Sequence, residues 1–396
     1  MIPTVMPTYA RIDLVFERGE GANIWTVDGR RFLDFTSGIA VNLLGHAHPY
    51  LVQKLHEQAQ KLWHVSNLFR VAGQESLSRR LVDSTFADTV FFTNSGVEAW
   101  ECAVKVVRKY HHETGNPQKT RFIVAGGAFH GRSTTAIAAA KSEKMVKGFG
   151  PLLDAFDQVA FDNLNELRAA ITPETGAIMV EPILGEGGVR PASVEYLKAL
   201  RETADEFGLL LVFDEIQTGM ARTGKLFAHE WAGVTPDVMP IAKGIGGGFP
   251  VGACLATEKA AVGMTPGTHG STFGGNPLAM AVGNAVMDVV EKPGFMEHVN
   301  RIGDLLEGRL DELVSRYPQV LELARGKGLM LGLKCAATVN SADFVTRLRE
   351  NGLLTVGAAD NTVRVLPPLV VAEAEVEEAI DIIDRTCRQF AQGTAS

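Results

Sequence analysis

The sequence predicts an α/β protein: a large, mainly parallel sheet covered by helices on both faces, joined to a smaller α+β domain. Three observations carry this expectation. Through the middle of the chain, apolar runs of strand length alternate with amphipathic stretches of helical period. Both ends of the chain break that alternation. The 396 residues, 46% apolar and 21% charged, also suffice for two or three globular domains at about 150 residues each.

The elements follow in order. In NIWTVDGRRFLDF, Asp28-Gly29 lies between two alternating runs and signals a β-hairpin. Val90–Thr93 reads as a strand, and Val97–His111 as a helix with Val97, Trp100, Val104 and Val107 at helical spacing. Arg121–Ala125 and Ala177–Val180 are further strands. Val194–Phe207 is a helix, Leu209–Phe213 a buried strand and Val238–Ile241 a short one. From about residue 285 helices dominate, with strand-like runs at Gly328–Lys334 and Thr362–Val365. Val376, Ile380, Ile383, Cys387 and Phe390 mark a last amphipathic helix. No linker separates these parts, so the expected large domain spans residues 46–284 and the small one combines 1–45 with 285–396.

Composition excludes several functions. A net charge of −8 opposes a nucleic-acid footprint. No apolar run reaches the roughly 18 residues of a membrane span. The first residues lack the basic and apolar regions of a secretory leader. Cys102, Cys254, Cys335 and Cys387 form no C-x-x-C pair and read as reduced thiols. A cytoplasmic enzyme with neither nucleic-acid nor membrane partner is expected.

Four stretches can carry chemistry. LLLVFDEIQ places Asp214 and Glu215 at the carboxyl end of a buried strand, where open α/β sheets bind ligands. PIAKGIGGGFP sets Lys243 between an apolar run and glycines, and a desolvated lysine there becomes a usable amine nucleophile. TNSGVE puts Ser95, Gly96 and Val97 at a helix N-terminus, an anion site; Ser95 and Glu98 also match a capping box. GGAFHGR offers Phe129 for stacking and Arg132 for a carboxylate. Each has an ordinary reading alone: a solvated strand end, a surface lysine, a cap, a tight turn. Together they match the needs of pyridoxal 5'-phosphate (PLP): an amine, an acid facing the pyridine nitrogen, an anion pocket and a ring platform.

At these residues the chain resembles the class III, fold-type I, PLP-dependent aminotransferases along nearly its whole length. The shared wording includes LDFTSGIAVNLLGHAHP, FFTNSGVEAWECAVKVVRK, EPILGEGGV, LLVFDEIQTGMARTGKLFAHE and AKGIGGGFPVGA, while LWHVSNLF, AFHGRS and HGSTFGGNPLA point to the acetylornithine branch. The resemblance implies Lys243 as the Schiff-base lysine and Asp214 as the partner of the pyridine nitrogen. It implies Gln217 near the ring hydroxyl, Ile216 and Phe129 on the two ring faces, and Ser95, Gly96 and Val97 on the phosphate. Thr272 would reach the phosphate of a second subunit, making the enzyme a homodimer with shared sites. Arg132 would bind the substrate α-carboxylate, with Ser271 and Tyr9 nearby, and Glu186 would mask or release Arg364 as amine and keto acid alternate. The implied activity is transfer of the δ-amino group of N-acetylornithine to 2-oxoglutarate. Succinyl-ornithine, succinyl-diaminopimelate, ornithine and 4-aminobutyrate are the alternative donors. Departures from the family wording are Leu184 for a glutamine, Val97 for Thr or Ala, and Ile216 for Val.

Two signals are discounted. GMARTGK fits a P-loop until Leu226, which has no hydroxyl for Mg²⁺. His46 and His48 have no acid or thiol cluster to complete a metal site.

Overall fold

The structure, a computed structural model, describes residues 2–393. Strands β1 (Phe16–Glu20), β2 (Asn23–Thr26) and β3 (Arg31–Asp34) form an antiparallel meander. Its β2–β3 turn falls at Asp28-Gly29, where Gly29 takes φ +85°. The middle of the chain holds β4 (Thr89–Thr93), β5 (Arg121–Ala125), β6 (Phe156–Val159) and β7 (Thr175–Val180). A two-residue ribbon, β8 (Ile183–Leu184) with β9 (Arg190–Pro191), precedes β10 (Leu210–Phe213), β11 (Val238–Ile241) and β12 (Gly252–Ala256). The C-terminal part adds β13 (Leu321–Lys327), β14 (Met330–Cys335), β15 (Leu353–Leu354), β16 (Val356–Ala358) and β17 (Thr362–Val365).

Seven strands make the central sheet in the order β4-β12-β11-β10-β7-β5-β6. Six run the same way; β12 is reversed and pairs antiparallel with β4 and β11. Alternate residues of β7 and β10 face opposite sides. Ala177, Met179, Leu210 and Val212 pack with Trp100, Ala103 and Val107 of the Gly96–Glu113 helix. Ile178, Val180, Leu211 and Phe213 pack with Leu197, Leu200 and Ala204 of the Val194–Phe207 helix. Strands covered on both faces have no polar side, hence their unbroken apolar runs. The second helix starts where Ser193 Oγ accepts the Tyr196 N–H and stops at Gly208 with φ +60°.

The two chain ends meet. β15 pairs parallel with β3, so N- and C-terminal segments share one sheet, while β13-β14-β17-β16 form another. The expected strand-like run from Gly328 needs correction. Gly328 takes φ +56° in the β13–β14 turn, and the strand starts at Met330. A Cβ there would lie 2.5 Å from the Thr223 carbonyl carbon, so glycine is required by both conformation and space. Strands β6 and β12 go beyond the sequence expectation. All four cysteines are free and buried. Among the described residues no helix is long and apolar enough to cross a membrane.

Candidate active site

Five strands of the central sheet deliver side chains at their carboxyl ends. β4 leads into Asn94-Ser95, β5 into Phe129 and His130, β7 into Glu181, β10 into Asp214, and β11 into Lys243. All of these border one cavity of about 340 Å³. Parallel strands align their ends, so residues far apart in sequence converge there.

Lys243 begins a short 3-10 turn and takes φ +46°, a left-handed conformation uncommon outside glycine. The side chain is half-buried and borders the cavity. Burial, then the nearby Arg364 guanidinium, pull its pKa down to about 8 against the opposing pull of Glu186, Glu181 and Asp214. A lysine so placed reaches its free-amine form at a lower pH than an exposed lysine does.

Asp214 is buried beside His130. The His130 Nδ1 lies 2.7 Å from Asp214 Oδ2, and the Ile216 N–H donates to Asp214 Oδ1 at 3.1 Å. The imidazole stacks on Trp100 at 5.4 Å between ring centroids. Burial opposes the charged imidazole, but the hydrogen bond and charge of Asp214 outweigh it and raise the His130 pKa. The pair therefore presents a held carboxylate to the cavity. Glu215 plays a different part from its neighbour: it accepts from Thr218 Oγ1, the Ala228 and His229 N–H groups, and faces His229 Nδ1. That acid is a strut of the loop, not a cavity group.

The Gly96–Glu113 helix opens on the cavity. Ser95 is its N-cap and accepts the Glu98 N–H at 3.4 Å. Glu98 closes the box one residue early, accepting from the Asn94 N–H at 2.7 Å and Asn94 Nδ2 at 2.9 Å. The first N–H groups of a helix have no partner within it, so this end suits a phosphate. A Cβ on Gly96 would stand 2.9 Å from Ile216 Cγ2.

Glu186 and Arg364 form an ion pair at 2.7 Å, although 178 residues separate them. Arg364 is buried and also donates to the Gly357 carbonyl at 3.1 Å; Glu186 borders the cavity. Phe129, Ile216, Gln217, Ser95, Gly96 and Val97 border it too. Other expected residues stand outside. Arg132 is exposed, its guanidinium 5.6 Å over the Phe129 ring. Ser271 and Thr272 line a neighbouring cavity, where Asn94 Nδ2 reaches Ser271 Oγ at 3.2 Å. Tyr9 is exposed in the N-terminal segment.

Two cavity groups escaped the sequence reading. Glu181 follows the AIMV strand just as Asp214 follows LLLVF, so the same strand-end signal marks it. His130 lies inside the GGAFHGR stretch, but its role depends on a carboxylate 84 residues away. The P-loop-like segment has a structural use: Arg222 is fully buried and donates Nη1 to the Leu329 and Pro367 carbonyls. His46 Nε2 pairs with Asp34 Oδ2 at 2.8 Å.

The donor set fits PLP: an amine, a buried acid, a helix N-terminus and apolar walls. Gln217 Oε1 is buried and, among the described residues, lacks a hydrogen-bond partner, leaving an acceptor for a ring hydroxyl. Residues 4–387 match the model of the aminotransferase class-III family. An acetylornithine aminotransferase of Mesorhizobium japonicum is 56% identical over 388 residues, covering 98% of this chain and 97% of its own. The solved N-acetylornithine aminotransferase of Stenotrophomonas maltophilia is 37% identical with a TM-score of 0.86, covering 97% of this chain and 98% of its own. An ornithine aminotransferase of Toxoplasma gondii, 30% identical, superimposes with a TM-score of 0.94 over 99% of this chain and 94% of its own, and records partial PLP occupancy at its active site. With that likeness running nearly the length of the chain, the protein belongs to the class III aminotransferases, PLP-dependent enzymes of fold type I.

Proposed function

We propose that the chain transfers the δ-amino group of N2-acetyl-L-ornithine to 2-oxoglutarate, giving N-acetyl-L-glutamate 5-semialdehyde and L-glutamate, a step of arginine biosynthesis. The observation that carries this reading is a depressed-pKa lysine sharing its cavity with a closed Glu186–Arg364 pair. The names of the acetylornithine relatives supply the acyl group. Unacylated ornithine is the second reading, favoured by the Toxoplasma neighbour.

Ser95, Gly96 and Val97, with Thr272 of a second copy, would hold the PLP phosphate. Phe129 and Ile216 would cover the ring faces, Gln217 would meet the ring hydroxyl, and Lys243 would hold the aldehyde carbon. Bound PLP supplies an electron-withdrawing ring that stabilises negative charge at the amine-bearing carbon. Asp214, braced by His130, would face the pyridine nitrogen and favour its protonated form. Once displaced by the substrate amine, Lys243 Nζ would take the proton from the substrate δ-carbon and deliver it to the cofactor carbon it had held. Arg132 binds the α-carboxylate, with Ser271 and Tyr9 beside the substrate. An acylated ornithine has one carboxylate, whereas 2-oxoglutarate has two. Glu186 neutralises Arg364 while the amine is bound and frees it for the second carboxylate, so one pocket serves both substrates.

The chain acts as a homodimer in the cytoplasm. Exposed Trp63, Leu68, Phe69 and Phe273 near Thr272 support the dimer, and four reduced cysteines support the compartment. Sheet membership supports the division into a 46–284 domain and a 1–45 plus 285–396 domain.

The test is the visible spectrum of the purified holoenzyme. Acetylornithine should abolish its cofactor band and 2-oxoglutarate should restore it, while Lys243→Ala should lose both the band and turnover. A band that responds only to ornithine would replace acetylornithine with the second reading. A protein that takes up no PLP would overturn both.

A further inference from the structure

Glu181 carries a load that the proposed mechanism leaves unused. It is the first residue after β7, buried, and on the cavity wall. Its two oxygens accept from two different turns. The Phe129 N–H donates to Oε1 at 2.8 Å, and the Gly185 N–H donates to Oε2 at 3.1 Å. The first turn carries the Phe129 ring. The second carries Glu186, whose own carboxylate reaches Arg364 at 2.7 Å. These turns also touch directly: a Cβ on Gly187 would lie 2.8 Å from the Gly127 carbonyl oxygen. One carboxylate thus ties the residue that carries the ring platform to the residue next to the gate.

We propose that Glu181 is a positioning residue for substrate alternation: by accepting both N–H groups it holds the 185–188 turn where Glu186 can close over Arg364. The inference rests on the reading that Glu186 and Arg364 alternate between amine and keto acid. The tie needs a carboxylate. An amide at the same place keeps one acceptor and turns an NH₂ toward the other N–H, a donor facing a donor. A bond from a backbone N–H to a buried carboxylate is among the stronger ones, so its loss frees one end of the turn.

The tie also titrates. Burial, with the Asp214 charge, raises the Glu181 pKa to about 7, against the lowering effect of His130 and the two backbone N–H groups. His130 and Asp214 face it from the loops after β5 and β10, and Lys243 from the loop after β11, with Glu186 and Arg364 beyond. As pH falls through that value Glu181 gains a proton and loses one acceptor position. The 185–188 turn is therefore expected to loosen as pH falls through about 7.

The experiment compares holoenzymes with and without Glu181→Gln, with melting temperature as the fold control. We expect the KM ratio of amino donor to 2-oxoglutarate to rise roughly tenfold, because an untethered Glu186 masks Arg364 less. In a Glu186→Gln background the same substitution should leave that ratio unchanged, since its route is gone. Hydrogen exchange supplies a readout free of turnover: segment 183–190 should exchange faster in the variant while β5 and β10 stay protected. Equal changes in both KM values, an effect that persists without Glu186, or unchanged exchange in 183–190 would overturn the proposal. If Glu181→Gln does not fold, protection of 183–190 in the wild type should fall selectively below about pH 7; a flat profile would overturn it equally. If the wild type ignores acetylornithine but uses ornithine, the donor reading fails and the ratio is taken with ornithine instead.

Discussion

Lys243 is where sequence and physics agree most closely. Its pKa falls from an ordinary lysine value to about 8 because the fold removes water and sets Arg364 nearby. The folded pKa lies below the unfolded one, so the free amine accumulates as pH rises through about 8. PLP uptake by cofactor-free protein should accelerate over that range and level off above it, followed by stopped-flow absorbance. In Arg364→Met the midpoint should move upward, since one cation that disfavours protonation is removed. Lys243 and Asp214 were legible because each ends an apolar run, and strand ends in parallel sheets are where ligands bind. Glu181 carried the same mark. The roles of His130 and Glu215 were not legible. Both depend on partners that only the folded chain supplies: Asp214 for His130, and the Ala228–His229 backbone for Glu215.

At the scale of elements, the Gly96–Glu113 helix shows how tightly the anion end is built. Gly96 sits where a Cβ would press on Ile216 Cγ2 at 2.9 Å and Cδ1 at 3.1 Å. Gly96→Ala should therefore weaken PLP binding by about tenfold and cost about 1–3 kcal/mol of stability, the usual penalty of overpacking. Adding Ile216→Ala removes both contacting atoms and should restore most of the stability, read by thermal melts of each variant. A helix that simply preferred alanine would show the opposite sign for the single change. The Gly96–Glu113, Val194–Phe207 and Glu373–Gly393 helices and five of the six strands that run together were legible from apolar period. Strand β12 was not: Gly252-Ala253-Cys254-Leu255-Ala256 is small-residued, follows a glycine-rich turn and runs against its neighbours. Its identity comes from pairing with β4 and β11, not from its own pattern. The Gly328 boundary differs because that glycine belongs to the hairpin turn between β13 and β14, a pairing that the run GLMLGLK does not reveal by itself.

On the scale of the whole molecule, the proposed homodimer would meet the site at the Thr272 segment. Ser271 and Thr272 line a cavity beside the Lys243 cavity, sharing Asn94 and Val97 with it. Around Thr272 the surface is apolar. Phe273 is 60% exposed, Leu68 88% and Phe69 64%. These residues belong to one patch, because Asn67 Nδ2 donates to the Ser271 and Gly274 carbonyls at 2.9 and 3.0 Å and His64 packs on Phe273. Exposed apolar surface of this kind is what an interface between two copies would cover, and a two-fold axis would bring the same patch from each copy together. Charge placed there should separate the copies. Leu68→Glu with Phe69→Glu should shift sedimentation toward the monomer, and PLP affinity should fall with it if each phosphate takes the Thr272 hydroxyl of the other copy. Thr272→Ala distinguishes the two effects. It removes only that hydroxyl, so it should leave the dimer intact and weaken PLP binding by about tenfold, as expected for one hydrogen bond to a charged group. A Leu68/Phe69 variant that stays dimeric, or a monomer with undiminished PLP affinity, would return the whole site to a single chain.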